Sequence, residues 1–257
     1  MSALLDSLAA GFDGDAARRA ALDTTLAAGL PGPRSESWKY TSLRALERRS
    51  FAVPSSDPVV DAAVVAAIPA PRIVFVNGRP SATLSDVGAT APGLSIGTLA
   101  DVDALPAIED RADAVFAHLN VVLAETGVSI AVDAGARIAP AVHLVFIGAP
   151  AEGDLAWHLR HHVVLGERAA LTLVEHHLDV GAHRHLDNTI VSLRIAGHAE
   201  LHHVRLQHRG AGATSVLRTD AELQTASVYT RVDVEAGGAL SRHELDVRLL
   251  GDDARLT

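Results

Sequence analysis

A chain of 257 residues with 31 acidic and 22 basic side chains carries a net charge of −9, which argues against nucleic acid as its main partner because the phosphate backbone would repel it. Cysteine is absent, which excludes a disulfide framework, a thiolate nucleophile and cysteinyl metal ligands. No apolar run reaches the roughly 20 residues of a membrane helix and no secretory signal begins the chain, so we expect a soluble, cytoplasmic protein.

Two short helices are predicted at the beginning of the chain, over residues 2 to 10 and residues 13 to 29. Asp13 is the predicted N-cap of the second helix, and Gly29 marks the end of its apolar stripe. These helices predict a small helical unit ahead of the rest of the chain.

A polar and aromatic segment follows a proline-containing turn at residues 31 to 33. It carries Trp38 and Tyr40, two of the four Trp and Tyr residues in the chain. We interpret both aromatics as a plug that fixes the helices onto the rest of the chain, in preference to a binding role. Arg34 and Glu36 are predicted to form a local ion pair of small energetic value.

The middle of the chain mixes helix and strand signals. The predicted elements are a helix from Asp57 to Ile68 with Asp57 as N-cap, an apolar strand from Arg72 with an Asn77-Gly78 turn and a return strand near residues 82 to 84, a strand or loop over residues 94 to 100, and an amphipathic helix from Ile108 to Glu125. We interpret this part of the chain as an α/β connecting region with a hairpin.

The back half of the chain repeats a pattern in which a glycine is followed by a strand. The glycines are Gly135, Gly166, Gly197 and Gly237, spaced by 31, 31 and 40 residues, so we expect two coils of equal length and a third with about nine extra residues. Stacked units of this kind bury a continuous core that one unit cannot form alone. The pattern predicts a solenoid whose first strand covers residues 128 to 132.

Residues within the repeats alternate as they do in half-buried strands. In one strand, Val191, Leu193 and Ile195 share a face opposite Ser192 and Arg194. In a later strand, Val228, Thr230, Val232 and Val234 oppose Tyr229, Arg231 and Asp233. One face should enter the core and the other should meet solvent, and this pattern is compatible with a parallel β-helix or an antiparallel sandwich.

Fourteen histidines invite a metal-site hypothesis. Three pairs, His161-His162, His176-His177 and His202-His203, are adjacent on predicted strands, so the members of each pair face opposite sides and do not chelate one ion together. His183-Arg-His185 lies in a predicted loop, and Glu200, the next glutamate, is too distant for a cupin-type site. We therefore interpret the histidines as polar members of strand faces.

Acid–base and nucleophile patterns are equally weak. Glu175 and His177 share a strand face, as do Arg242, Glu244 and Asp246, and both sets are interpreted as solvated faces. Since no nucleophile motif or phosphate-binding loop is present, the sequence predicts no catalytic, cofactor-binding or metal-ligating residue.

A set of motifs spread along the whole chain has a characteristic order and spacing. It consists of Arg34-x-Glu36-x-Trp38-Lys39-Tyr40-Thr41 followed by Leu43, then Phe75-Val-Asn-Gly78, Leu119-Asn120, Gly127-Val-Ser-Ile-Ala-Val132, Glu175, Asn188, Gln207 and Leu240-Ser-Arg242. These motifs resemble the SufB/SufD family of iron–sulfur cluster assembly proteins, on the SufD side of that family.

The resemblance implies a small helical N-terminal domain followed by a right-handed parallel β-helix, a mainly β fold with α. We expect a helical domain at residues 1–52, an α/β connecting region with a hairpin at 53–126, and the β-helix at 127–257. The implied role is a non-catalytic scaffold of the SUF complex that pairs with a SufB-like subunit and a SufC-like ATPase. The resemblance also implies that this chain binds no cofactor itself. The iron–sulfur cluster would be assembled on the complex, and the partner ATPase would use ATP.

The resemblance also implies that members of the family continue beyond the position of Thr257, through more β-helix coils and a C-terminal helical region that would carry the ATPase-docking part. An uncapped β-helix exposes strand edges and apolar faces, so we expect the isolated 257-residue chain to be poorly soluble or to associate with itself. Chain termination at Thr257 would then interrupt a coil.

Two alternative functions remain open from the residues. A stand-alone β-helix that binds or cleaves a polysaccharide would need an aromatic groove, but only Trp157 and Tyr229 are available in the β region. A histidine-rich metal-binding protein is the other alternative. A related hypothesis places His176, His202 and His243 along an internal passage for a sulfur or iron species.

Overall fold

Parallel strands stack into a two-sheeted solenoid in the computed structural model, which describes residues 2–32, 35–102, 105–108, 111 and 113–257. The helices are α1 (Ala3–Ala10), α2 (Ala16–Ala28) and α3 (Val115–Leu123). The strands are β1 (Arg72–Val76), β2 (Arg79–Pro80), β3 (Leu94–Thr98), β4 (Val128–Val132), β5 (Val142–Gly148), β6 (Ala156–Leu165), β7 (Ala170–Asp179), β8 (Leu186–Ile195), β9 (Glu200–Arg209), β10 (Thr214–Leu223), β11 (Val228–Gly237), β12 (Leu240–Leu249) and β13 (Arg255–Leu256).

The strand orders of the two sheets are β13-β11-β9-β7-β5-β1-β2 and β12-β10-β8-β6-β4-β3. From β4 onward the chain alternates between the sheets, so each coil contributes one strand to each, and neighbouring coils pair in parallel. Antiparallel pairs join β1 to β2 and β3 to β4 at one end of the stack. This topology confirms the parallel β-helix and excludes the antiparallel sandwich, whose consecutive strands would pair with each other.

The lengths of the coils differ from the predicted ones. Glu200 pairs with Ala170 on one side and with Val228 on the other, so successive coils differ by 30 and 28 residues. The predicted 40-residue coil is wrong, because Gly237 belongs to the opposite corner, between β11 and β12. A Cβ at Gly237 would lie 1.8 Å from the Arg209 carbonyl oxygen, so this position requires glycine for close backbone approach.

Non-glycine residues occupy several left-handed corner positions, so the spacing of glycines alone does not give the coil length. The positive-φ residues at the corners that follow β6, β8 and β10 are Arg168 (φ 60°), His198 (φ 59°) and Ala226 (φ 53°). Because Gln224 to Ser227 contains no glycine, the fourth corner leaves no composition signal. A search for glycines alone therefore skips it.

Strand alternation predicts the inner faces correctly in one strand and misleads in another. Val191 is buried together with the other apolar members of its face in β8, as expected. In β11 the apolar set points outward, with Val232 50% and Val234 52% exposed, whereas Tyr229 is fully buried. The inner face of β11 is the polar one, and this reversal defines the site described below.

Three of the predicted helices are shorter in the structure than the sequence indicated. Asp15, not Asp13, caps α2 and accepts a hydrogen bond from the Arg18 amide at 2.8 Å. The helix predicted over residues 57 to 68 is reduced to a 3₁₀ turn, Ala62–Val65, capped by Asp61, because its valines disfavour a longer helix. Of the helix predicted from Ile108 to Glu125, the described residues form α3, which ends at Leu123 because Ala124 is already extended, and residues 109, 110 and 112 lie outside the described residues.

The hairpin in the connecting region is tighter than expected. Asn77 (φ 47°) and Gly78 (φ 76°) form a two-residue left-handed turn, which confirms the Asn-Gly turn. The return strand therefore begins at once, with Arg79 paired to Val76, and residues 82 to 84 are not in a strand. The segment predicted over residues 94 to 100 forms β3.

Trp38 and Tyr40 have opposite environments. Trp38 is 3% exposed, and its ring lies 5.5 Å from that of Phe116 and 4.0 Å from the Arg242 guanidinium carbon. Its predicted role as a plug is confirmed. Tyr40 is 91% exposed, so the same prediction for Tyr40 is wrong. Arg34, and with it the predicted pair with Glu36, lies outside the described residues.

Helix α3 is fixed to the solenoid by two buried asparagines. Asn120 donates its side-chain amide to the carbonyl oxygens of Leu159 and Asn188 at 2.8 and 2.9 Å. Asn188 in turn donates to the carbonyl oxygen of Phe116 at 2.8 Å. These bonds satisfy strand and helix carbonyls that the packing of α3 removes from water. Among the described residues, none of the helices has the length and apolar character needed to span a bilayer.

Replacing Asn120 with leucine should destabilise the protein by about 1–3 kcal/mol, because two buried carbonyl groups lose their donors. Urea denaturation followed by tryptophan fluorescence measures this as a lower midpoint at unchanged slope. Val121→Ala is the matched control, since Val121 is on the same helix and 44% exposed. Equal midpoints for the two variants would contradict the anchoring role of Asn120.

Candidate functional site

The interior of the solenoid is divided into an apolar half and a polar half. The apolar half lies toward the corners that follow β6 and β8, where Leu165, Leu193 and Leu201 are fully enclosed. The polar half lies at the other end of the same strands. We call it the interior polar network and define it by the inward side chains Glu175, His177, Asp179, Asp187, His203, Arg205, Gln207, Arg209, Thr219, Tyr229, Arg231, Asp233 and His243.

Glu175 is the centre of the network. One carboxylate oxygen accepts from His177 Nε2 at 3.0 Å and the other accepts from His203 Nε2 at 2.8 Å, and all three side chains are enclosed. Burial alone would raise the pKa of Glu175, but the adjacent imidazoles of His203 and His177 outweigh it and hold this pKa well below its usual range. A charged carboxylate is thus held inside the solenoid by one imidazole from its own strand, β7, and one from β9 of the next coil.

The network continues into the next coil through Tyr229. Its hydroxyl is hydrogen-bonded to His203 Nδ1 at 3.0 Å and accepts from Arg231 Nη1 at 2.9 Å. Burial raises the pKa of Tyr229 to about 12, so the phenol stays protonated. Arg231 also donates to the Thr219 hydroxyl at 3.0 Å, which connects the network to the opposite sheet.

Arg209 joins the two sheets at the edge of the network. Its guanidinium donates to Asp179 at 2.8 Å and to Asp187 at 2.5 Å, and the three side chains are 1%, 4% and 2% exposed. Burial would raise the pKa of both aspartates, yet the adjacent imidazoles of His183 and His177, together with the Arg209 charge, lower the pKa of each. Arg209 is therefore the cation that two enclosed carboxylates share.

Arginines and carboxylates alternate along the solenoid axis. Parallel register places Arg205 between Glu175 and Asp233. Asp233 accepts from Arg205 Nε at 2.9 Å and from Arg231 Nε at 2.8 Å. Burial opposes ionisation of Asp233, but the Arg231 hydrogen bond and the two positive charges lower its pKa to about 2. Arg205 also bonds to Glu235, so each charge in this column has an opposite neighbour.

His243 closes the network on the last coil. Its Nε2 lies 3.1 Å from the Thr219 hydroxyl. Burial, reinforced by the nearby charges of Arg231 and Arg205, lowers the pKa of His243 to about 3. This imidazole is therefore neutral under ordinary conditions and serves as a hydrogen-bonding group.

The arrangement stabilises charge but offers little to a substrate. The acidic and basic groups around Glu175 already bond to one another, and their side chains are closed to solvent. Within the described ranges, no three His, Asp or Glu side chains are grouped as ligands for a metal ion, and His177 and His203 direct their Nε2 atoms at a carboxylate. The sequence prediction of no catalytic, cofactor-binding or metal residue remains a prediction.

The histidines divide between the two sides of the strands, as predicted. His203 is enclosed and His202 is exposed, and His177 is enclosed while His176 lies outside at 3.0 Å from His143. His176 and His202 therefore face away from the interior, and the predicted internal passage through His176, His202 and His243 is wrong.

His183 and His185 lie in the loop between β7 and β8, where the sequence placed them. Their rings stack with centroids 4.4 Å apart. His185 accepts from the Leu155 amide at 3.0 Å and donates to the Ala149 carbonyl at 2.8 Å. Both ring nitrogens of His185 are thus occupied by backbone groups.

Sequence reasoning found the shared face of Glu175 and His177 but placed it in solvent. The missed signal was the coil period, because Glu175, Arg205 and Asp233 align at 30 and 28 residues. An alignment at that period would have shown charges of alternating sign in one column. Arg242, Glu244 and Asp246 share an outward face as predicted, but their side chains are only 15%, 19% and 29% exposed, so the prediction of a solvated face is wrong; Arg242 covers Trp38 there.

Comparison with known proteins gives consistent results. Residues 146–257 match the family model described as SUF system FeS cluster assembly, SufBD core domain. The chain is 30% identical over 240 residues to the iron–sulfur cluster assembly protein SufD of Escherichia coli (strain K12), covering 91% of this chain and 56% of that protein. It is 22% identical over 251 residues to an iron–sulfur cluster assembly SufBD family protein of Synechocystis sp., covering 90% of this chain and 55% of that protein.

The chain spans about half the length of the curated relatives that it matches. The matched core domain begins in β5 and includes all strands that carry the interior polar network. The similarity to SufD extends over 91% of this chain, and the core-domain match covers residues 146–257, so the chain is similar to the SufB/SufD family of iron–sulfur cluster assembly proteins.

Proposed function

We propose that this protein is a non-catalytic scaffold subunit of a cytoplasmic SUF iron–sulfur cluster assembly complex, acting through contacts with a SufB-like subunit and a SufC-like ATPase. The observation that carries the proposal is the enclosure of Glu175, His177 and His203 at the centre of the interior polar network. Glu175, His177 and His203 have the chemistry of acid–base catalysis, yet they bond to one another inside the solenoid. Their arrangement supports a stabilising role in a rigid frame.

The composition supports the same division of labour. A chain with no cysteine supplies no thiolate for sulfur transfer or cluster ligation. That chemistry is assigned to the SufB-like partner, and ATP hydrolysis to the SufC-like partner. The cluster is the cargo of the assembled complex, and the present chain contributes a surface and a fixed geometry.

Co-purification tests this proposal. An affinity-tagged version of the chain, and a version extended through any downstream coding sequence, are each co-expressed with SufB and SufC from the same organism. We expect the extended chain to retain both partners in stoichiometric amounts, and the complex to assemble clusters on an apo-acceptor protein. Failure of both versions to retain either partner would overturn the scaffold proposal.

The proposal that this chain is non-catalytic can be tested in the same complex with a substitution at Glu175. Glu175→Gln removes a titratable group but keeps a hydrogen-bond acceptor between the two imidazoles. A folded complex with this substitution should assemble clusters at a rate within about twofold of the parent, because general acid–base groups contribute 10²–10⁴-fold when they act in catalysis. A hundredfold loss in a folded, fully assembled complex would contradict it.

A further inference from the structure

Tyr40 is displayed on the surface in a way that the fold does not require. Its side chain is 91% exposed, although the chain contains only two tyrosines and the other is fully buried. Lys39, the neighbouring residue, places its ammonium nitrogen 5.3 Å from the centre of the Tyr40 ring. An exposed aromatic ring next to a cation is a common component of protein interfaces.

Two further cations follow this pair closely in the sequence. Arg44 and Arg48 are exposed and stand four residues apart in a helical turn closed by the bond from the Glu47 amide to the Leu43 carbonyl, so they share one face of that turn. Among the described residues, neither they nor Lys39 forms an ion pair, whereas most other arginines of the chain do. Glu47, between them in the sequence, is half-buried.

The backbone beneath this surface is held in place from inside. Trp38 is buried against Arg242 and donates its indole N–H to the Asp113 carbonyl at 3.0 Å. Thr41, on the other side of Lys39 and Tyr40, accepts from Arg242 Nη1 at 3.4 Å. Tyr40 is thus presented between two anchored residues. Such preorganisation lowers the conformational cost of binding, so a ring held in this way is suited to contact a partner.

We propose that Lys39, Tyr40, Arg44 and Arg48 form a docking surface, here called the basic–aromatic surface, for an acidic segment of a partner protein. Carboxylates of that segment would pair with the three free cations, and an apolar side chain between them would pack on the Tyr40 ring. The overall charge of −9 favours a short protein segment over nucleic acid, because a long phosphate backbone would extend from these few cations onto acidic surface.

The test uses the full 257-residue chain and a fluorescein-labelled peptide with the sequence Glu-Glu-Leu-Glu-Glu-Leu-Glu-Glu, titrated by fluorescence anisotropy. We expect saturable binding that weakens between about 50 and 300 mM NaCl, because exposed charges are screened by salt. Tyr40→Ala and the triple variant K39E/R44E/R48E should each weaken binding at least about tenfold, the loss typical of a residue central to an interface.

The matched control is R19E/R137E/R168E, which makes the same change of net charge at exposed arginines on other parts of the surface. It should bind the peptide as the parent does, so equal losses in the two triple variants would overturn the proposal. Unchanged binding by Tyr40→Ala would also overturn it, as would tighter binding of a single-stranded oligonucleotide of equal charge. Self-association that is abolished by K39E/R44E/R48E would identify a second copy as the occupant and overturn it likewise.

Discussion

Replacing Arg209 with methionine is expected to lower the free energy of unfolding by about 3–5 kcal/mol, the cost of leaving a buried charge without its partner. Asp179 and Asp187 both depend on this guanidinium and are 4% and 2% exposed. Methionine fills a similar volume but provides neither charge nor donor. The two carboxylates would then remain enclosed together without a cation between them. Asp179 would keep the Gly210 amide and the His183 imidazole as partners, and Asp187 would keep the Thr189 hydroxyl and the His177 imidazole.

Urea denaturation followed by the fluorescence of Trp38 and Trp157 measures this effect as a shift of the midpoint. The loss should shrink as the pH is lowered, because protonation of Asp179 and Asp187 removes the uncompensated charge. Arg137→Met is the matched control, since Arg137 pairs with Glu200 at an exposed site and such pairs contribute about 0–1 kcal/mol.

Arg209→Lys distinguishes the loss of the positive charge from the loss of the guanidinium's hydrogen-bond geometry. It also tests the role of Arg209 if the Arg209→Met variant does not fold. Lysine keeps the positive charge but bonds to the two aspartates without the planar fork of arginine. Its stability should fall between the parent and Arg209→Met. Equal stability of all three proteins would show that Arg209 does not hold the sheets together.

The β-helix follows from the sequence to a considerable extent. Alternation in β8 and the glycine-led units predict stacked strands, because apolar faces at that spacing are buried only by neighbouring coils. Periodicity alone does not distinguish parallel from antiparallel stacking, and the family resemblance resolved that choice. The coil length was wrong where Ala226 adopts the corner conformation usually given to glycine, since tertiary packing can impose a left-handed residue that local preference disfavours.

The interior polar network was not predictable from residue polarity. Local rules place Arg205, Arg231 and Glu175 at the surface, because charged side chains are rarely enclosed without partners. Their partners come from neighbouring coils about 30 residues away in sequence, so burial is decided by a register that the sequence displays only after the coils are aligned. Tyr40 is the opposite case, because residue type predicts that an aromatic ring is buried and Tyr40 is exposed. Of the two aromatic residues in this segment, Trp38 is the one that is buried.

The stability of the protein is expected to fall as the pH is lowered from about 7 to about 5, chiefly through enclosed histidines. His161 is fully buried between the rings of Phe75 and Phe146, and its Nδ1 accepts from the Val128 amide at 3.1 Å. Burial lowers the pKa of His161 to about 4, an effect that Glu175 and Asp187 oppose and His177 reinforces.

The sign of the effect follows from the two pKa values. The folded protein holds His161 neutral down to pH of about 4, whereas the unfolded chain takes up the proton near pH 6.5. The unfolded state therefore binds more protons between these values, and stability that is fully present above pH 6.5 is lost as the pH falls. For this one residue the loss between pH 7 and pH 5 is at most about 2 kcal/mol. The depressed pKa values of Glu175, Asp187 and Asp233 add a further loss at lower pH.

His161→Gln separates this contribution from the others. Glutamine does not titrate, and its side-chain oxygen can accept from the Val128 amide, so the variant should lose up to about 2 kcal/mol less than the parent between pH 7 and pH 5, even if it is less stable at neutral pH. Urea midpoints measured at several pH values across this range give the slope directly. His202→Gln is the control and should keep the slope of the parent, because His202 is exposed in the folded protein. A parent-like slope in His161→Gln would show that the enclosed imidazole of His161 is not what makes the β-helix sensitive to acid.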